Sequence, residues 1–280
     1  FDKDMKILKA KSDIPVLYKQ NVTNGVFSLI YVFDMGNNHD KALGTAFNYL
    51  TYLGTSKKSP AQIKSEFYNL ACSFNVFPGT DRVYITLEGL AENMNKALAL
   101  FEELLTDPQV NKEAFANLTA DILKKRTDAK LNQSANFNKL IQYAIWGPDS
   151  PDNNILSEAE LKSMDPQELT TRIKNLNYFE HRIMYYGPDN EQKLLSTLNS
   201  LHKVPAELKP VPTTDNFKQV ETKENKVLLA EYDAKQIYLG MTSNDGRFFD
   251  PKIEATRELY NEYFGGSMNA IVFQEMREAR

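Results

Sequence analysis

Hydrophobic and polar positions near the start of the chain alternate with the period of a strand. Ile14, Val16 and Tyr18 form one row. Further on, Val26, Ser28, Ile30 and Val32 stand on one face, with Phe27, Leu29, Tyr31 and Phe33 on the other. With both faces of this second segment apolar, the pattern predicts a central strand covered by helices. From Asp40 the period becomes helical: Leu43, Ala46, Phe47, Leu50 and Leu53 share a stripe and Gly54 stands where the helix should end. Ser59-Pro-Ala-Gln62 supplies an N-cap, a proline at the first helical position and a capping-box Gln for a second helix, which buries Ile63, Phe67 and Leu70.

A hairpin follows, with Phe74–Phe77 and Val83–Leu87 flanking the turn Pro78-Gly-Thr-Asp81. The sequence is then helical almost to residue 176. Stripes run through Met94, Ala97, Leu98, Phe101, Leu104 and Leu105, through Phe115, Leu118 and Ile122, and through Phe137, Leu140, Ile141 and Ala144. Ser157-Glu-Ala-Glu160 and Asp165-Pro-Gln-Glu168 are helix starts of the capping-box type. A strand returns at Arg182–Tyr186, and a helix carrying Leu194, Leu195, Leu198 and Leu201 follows Gly187-Pro188. Strands, then helices, then a strand and a helix predict an α+β fold, an antiparallel-rich sheet flanked by helices.

Lys203–Thr214 carries three prolines in twelve residues and no usable periodicity, so it reads as a linker. The chain accordingly divides into a complete domain over 1–205, a Pro-rich linker over 206–216, and a truncated second α+β domain over 217–280. The second part is expected to open with strands at Val227–Ala230 and Ile237–Gly240, a helix from about Pro251 to Phe264, and an unfinished helix to Arg280. Phe47–Thr55 resembles Leu259–Gly266, each a helix ending at glycine before another begins, as a duplicated unit would give. The chain opens Phe1-Asp-Lys-Asp-Met-Lys6, without a start methionine or a signal-like segment, and reads as a piece of something longer.

Composition narrows the chemistry. Thirty-three basic against 37 acidic side chains leave a formal charge of -4, which disfavours nucleic acid as the main partner. Cys72 is the one cysteine, so no internal disulfide forms, and its apolar setting reads as a small buried hydrophobe. An exported, periplasmic location is compatible with that count. No stretch reaches the roughly 20 apolar residues of a membrane span. The three histidines, His39, His181 and His202, lie far apart without a ligand-type neighbour at helical spacing, and are expected at the surface or in caps. No Gly-x-Ser-x-Gly elbow or phosphate-binding glycine loop occurs. Lys124-Lys-Arg126 with Lys130 reads as a solvated helix face, and Gly265-Gly266 as a helix C-cap and turn.

The string Tyr263-Phe-Gly-Gly-Ser-Met-Asn-Ala-Ile-Val-Phe-Gln-Glu-Met-Arg-Glu-Ala-Arg280 resembles a segment of the insulinase/pitrilysin family of zinc metallopeptidases, the inverzincins. Leu43–Thr55 is likewise similar to that family's active-site helix and the glycine turn after it. Aligning Leu53-Gly54-Thr55 with the family's Leu-Gly-Thr places its H-x-x-E-H motif over Thr45-Ala-Phe-Asn48-Tyr49. Thr45 and Tyr49 then replace the two zinc-binding histidines, and Asn48 replaces the catalytic glutamate. The third ligand, a glutamate in active members, falls within 122–127, where there is no carboxylate and where Lys124, Lys125 and Arg126 would repel a dication.

The resemblance therefore implies the non-catalytic half of a peptidase, with no cofactor of its own and zinc in the parent's other half. Its implied partners are that homologous catalytic half, on the same chain or a partner subunit, and an unfolded peptide. In the family such a half carries an arginine and, seven residues on, a tyrosine that reach the peptide; Arg277 matches the arginine, and the tyrosine's position lies beyond Arg280. The alternative is a structural, assembly or regulatory subunit on the same fold with no peptidase role. An H-x-x-E-H motif upstream in the same reading frame would separate the two.

Overall fold

A computed structural model describes residues 4–214, 217–234, 236–247 and 249–278. Its strands and helices run in the order β1 (Lys6–Lys9), β2 (Pro15–Gln20), β3 (Val26–Phe33), α1 (Leu43–Leu50), α2 (Pro60–Asn69), β4 (Cys72–Pro78), β5 (Val83–Leu90), α3 (Met94–Thr106), α4 (Lys112–Ala129) and α5 (Gln133–Trp146). They continue with α6 (Glu158–Ser163), α7 (Pro166–Asn175), β6 (Arg182–Gly187), α8 (Glu191–Leu201), α9 (Pro251–Asn261) and α10 (Ile271–Phe273). The six strands form one sheet in the order β1-β2-β6-β3-β5-β4. Among the strand pairings of the described residues, β2 with β6 is parallel and the other four are antiparallel, which bears out the α+β reading.

Register follows the alternation in the sequence. Tyr31 of β3 stands between Ile85 of β5 and Ile183 of β6, and Ile183 pairs with Val16 of β2. All four are buried and belong to a core that also takes Phe47 and Leu50 of α1, Phe101 of α3, Leu169 of α7 and Leu198 of α8. A row of β-branched and aromatic side chains pointing one way gives the sheet its packing face.

The opposite face departs from expectation. Val26 is 43% exposed and Phe77 57%, while Ile30 and Met184 are only partly buried, so helical cover lies on one face alone among the described residues. Two-sided apolarity in β3 does not by itself recruit a second layer, because antiparallel sheets tolerate one wet face. Val32 is the buried exception on that side. It neighbours Tyr84 and Arg182, and Asp34 pairs with both Arg82 and Arg182.

Local chemistry fixes the helix ends. Ser59 accepts from the Gln62 backbone and the Gln62 side chain accepts from the Ser59 backbone, the capping box expected for α2. Ser157 and Glu160 do the same for α6. After α1 the chain turns tightly at Gly54, where an added Cβ would lie 2.3 Å from the Lys58 carbonyl oxygen, so only glycine fits the crossing.

The Pro-rich stretch is irregular but tethered. Lys209 donates its N–H to the Tyr178 carbonyl at 2.7 Å and accepts from Glu180 N–H at 2.8 Å, and Leu208 and Val211 pack on the core. The strands expected at Val227–Ala230 and Ile237–Gly240 are absent from the described residues, and Leu229 and Ile237 are 89% and 95% exposed. Among the described residues no neighbouring strand offers a ladder there. Instead this part of the chain runs beside α5: Val220 N–H donates to the Ile145 carbonyl at 2.8 Å and Tyr238 meets the Phe137 ring edge-on at 5.5 Å. The helix expected to Phe264 is helical through Asn261 and widens into a π-type turn, Glu262–Gly266, which places Gly265 and Gly266 inside the turn.

Candidate functional site

The three motif positions lie on α1. Asp40 accepts from Ala42 N–H and Asn37 accepts from Gly44 N–H, both at 2.9 Å, which positions the helix at its start. Spacings of three and four residues bring Thr45, Asn48 and Tyr49 within one turn of each other. Their surroundings differ: Thr45 is half-buried, Asn48 is exposed and Tyr49 is buried.

Tyr49 is fully engaged. Its hydroxyl donates to the Asn111 carbonyl at 2.7 Å and accepts from the Asn111 N–H at 2.8 Å. Its ring meets Phe115 edge-on at 5.7 Å, and burial raises its pKa, so the oxygen stays protonated at neutral pH. Asn111 in turn caps α4 by accepting from Ala114 N–H at 3.0 Å. On α4, Ile122 and Leu123 lean on the core, while Lys125 turns outward and pairs with Asp121 at 2.7 Å. Among the described residues, no three His, Cys, Asp or Glu side chains are grouped closely enough to hold a metal ion. A half-buried hydroxyl, an exposed carboxamide and a buried phenol bonded on both sides are not strong zinc ligands, and Asn48 alone of the three is exposed.

Strand β4 packs beneath α1 and forms one end of the sheet, its other side unpaired among the described residues. Such an edge offers backbone donors and acceptors to an extended chain. Cys72 in this strand is buried, as expected, and burial raises its pKa. The side chain of Arg277 lies outside the described residues.

One polar cluster was not anticipated. His181 and His202, expected at the surface or in caps, are both buried and meet Nε2 to Nε2 at 2.9 Å. Only His39 keeps a turn role, accepting from Gly36 N–H at 3.2 Å. His202 Nδ1 lies 2.6 Å from Glu102 Oε1, which also accepts from the Tyr31 hydroxyl at 2.8 Å, and Glu102 Oε2 accepts from Lys203 N–H at 3.0 Å. The protons can be placed by elimination. The Phe179 carbonyl, 2.7 Å from His181 Nδ1, can only accept, so that nitrogen carries hydrogen. Burial, and next the neighbouring His202, push the His181 pKa down to about 4, so its Nε2 is bare and takes the proton of His202 Nε2. The chain of bonds ties β3, α3, the approach to β6 and the end of α8 together. A signal existed in the sequence: Glu102 sits on the apolar stripe of α3 between Leu98 and Leu105, where a carboxylate requires buried donors.

Comparison with known proteins places this geometry. The family model for insulinase, Peptidase family M16, matches residues 16–157. No curated protein matches the sequence significantly. The peptidase M16 inactive domain from Pseudomonas fluorescens superposes with a TM-score of 0.71 at 16% identity, over 99% of this chain and 68% of that one. A protease from Helicobacter pylori gives 0.70 at 12% identity over the same shares. The periplasmic protease PqqL from Escherichia coli gives 0.66 at 11% identity over 78% of this chain, which spans 25% of PqqL. At these identities the likeness is one of fold.

Proposed function

The chain belongs to the insulinase family, Peptidase family M16, and from that membership we propose that it acts as the non-catalytic half of a zinc metalloendopeptidase. In this reading it lines a chamber and holds unfolded peptide, while the homologous catalytic half, on the same polypeptide or a partner, supplies zinc and the glutamate base. The observation that carries the reading is the fate of the motif positions on an intact frame. On the resemblance, Thr45, Asn48 and Tyr49 take the places of the family's ligands and base on the frame of α1 and the Gly54 turn, and the Tyr49 oxygen is engaged by Asn111 on both sides. That donor set does not suit zinc, so no step through a metal is derived for this chain.

The free edge of β4 supports the peptide-holding part, since an extended substrate can add to it as a further strand through backbone hydrogen bonds. Arg277, whose planar guanidinium suits carbonyl oxygens, is the side chain proposed to reach the peptide.

The test pairs metal analysis with cleavage. The purified chain should hold no stoichiometric zinc and should cleave no unfolded peptide alone, whereas the assembly with its zinc-bearing half should cleave and should slow on Arg277→Ala. Tightly bound stoichiometric zinc in this chain, with hydrolysis by it alone, would overturn the proposal. An assembly in which no zinc-bearing half exists favours the structural or regulatory alternative.

A further inference from the structure

A cleft of about 530 Å³ opens between the start of α1, the end of α7 and the tethered Pro-rich stretch. Its floor is apolar: Met35, Leu43 and Leu176 are almost fully buried and Phe179 leans in beside them. Its volume is in the range of small-molecule sites, which combine an apolar lining with a few placed polar groups. Two cations and one anion line it, Arg172, Lys209 and Asp40.

These charges are unequally committed. Asp40 uses one carboxylate oxygen to cap Ala42 N–H and the other to accept from Arg172 Nε at 2.7 Å, so it has no spare charge to offer. Arg172 also reaches the Glu168 carboxylate at 3.4 Å. Lys209 makes no ion pair among the described residues; its ammonium stands 5.9 Å above the Tyr178 ring. Its backbone is held on both sides by the bonds to Tyr178 and Glu180, so the cation is set on a fixed anchor. An apolar floor with one uncompensated, positioned ammonium at the rim is complementary to an apolar group that carries a single carboxylate.

We propose that this cleft binds the carboxylate end of an apolar molecule, with the apolar body on Leu43, Leu176 and Phe179 and the carboxylate on Lys209. A peptide's C-terminal apolar residue and a free aryl or alkyl carboxylate share this chemistry. The cleft's chemistry is independent of any role in proteolysis.

The probes are hydrocinnamate and its neutral amide, together with N-acetyl-alanyl-phenylalanine as the free acid and as the C-terminal amide. Binding to the full 280-residue chain is followed by methyl NMR at Met35, Leu43 and Leu176. Each acid should shift these methyls and bind about tenfold tighter than its amide, equal to about 1.4 kcal/mol. Lys209→Met should reduce acid binding to the amide level and leave the amide unchanged, while Lys209→Arg should restore the preference. Whichever acid binds tighter identifies the source, peptide end or free carboxylate. Equal binding of acid and amide, shifts confined to other methyls, no saturable shift up to the solubility of the probes, or an unaltered preference in Lys209→Met would each overturn the assignment. The Lys209 side chain is exposed, so neither variant is expected to disturb folding.

Discussion

Replacing Glu102 tests whether the buried polar cluster holds the sheet to its helices. Its carboxylate is fully buried and accepts from the Tyr31 hydroxyl, from His202 and from Lys203 N–H. Glu102→Ala removes all of these at once, together with the long contact from the Asn177 side-chain amide, and leaves the partners facing a void. Each buried donor left without an acceptor costs about 1–3 kcal/mol. About 4 kcal/mol is a large share of the roughly 5–15 kcal/mol that stabilises a typical fold. In a chain of this size it should lower the melting temperature by about 8–16 °C. Glu102→Gln is the informative partner variant. Its oxygen can still accept from Lys203 N–H, and its amide nitrogen can face His202 Nδ1 as a donor. Only the Tyr31 hydroxyl then loses its acceptor, and the cost falls to about 1–2 kcal/mol. Urea unfolding followed by circular dichroism reads both values, with an unchanged slope as the check that the unfolded state is the same. If Glu102→Ala lies within about 1 kcal/mol of the native chain, or if the two variants cost the same, the cluster does not carry the stability assigned to it.

Three other perturbations reach different parts of the fold. The His181 pKa falls from 6.5 to about 4 on folding, so between those values the unfolded chain binds the proton and the folded chain does not. Stability should therefore drop as pH falls through that window, by up to about 3 kcal/mol, and a flat urea midpoint from pH 7 to pH 4 in His181→Phe but not in the native chain would assign the loss to this ring. Tyr49→Phe deletes both bonds to Asn111 and should cost about 1 kcal/mol while speeding amide exchange in the first turn of α4; unaltered exchange there would refute the coupling of α1 to α4. Gly54→Ala drives a methyl to 2.3 Å from the Lys58 carbonyl oxygen and should destabilise by about 1–3 kcal/mol, which thermal unfolding would detect and a neutral result would contradict.

Much of the frame is legible in the sequence because its signals are local. The capping boxes at Ser59 and Ser157, the stripe of α1 and the alternation in β3 each lie within a dozen residues, and the structure reproduces them. Strand β1 leaves no alternation to read because it is four residues long, at the sheet edge, and mostly exposed. The open sheet face and the missing strands after Val227 share a cause. Strand propensity describes a segment's fitness for a ladder, but the ladder depends on what lies beside it, and Val227–Ala230 has no neighbour among the described residues. The buried cluster is the clearest case: His202 and Glu102 are 100 positions apart, so no window along the chain contains both. At the candidate site, the resemblance points to Thr45, Asn48 and Tyr49, but nothing in the sequence shows the use made of Tyr49, because Asn111 arrives from 62 residues away.

That use of Tyr49 bears on any attempt to place a metal ligand at this position. A side chain that met nothing could be exchanged freely. Here the phenol is a rivet between two helices, so an imidazole at 49 would give up both bonds to Asn111 and loosen the start of α4. A metal site built on α1 would begin with a deficit in the fold before any ion was bound, and the helix pair rather than the ligand set would limit the design.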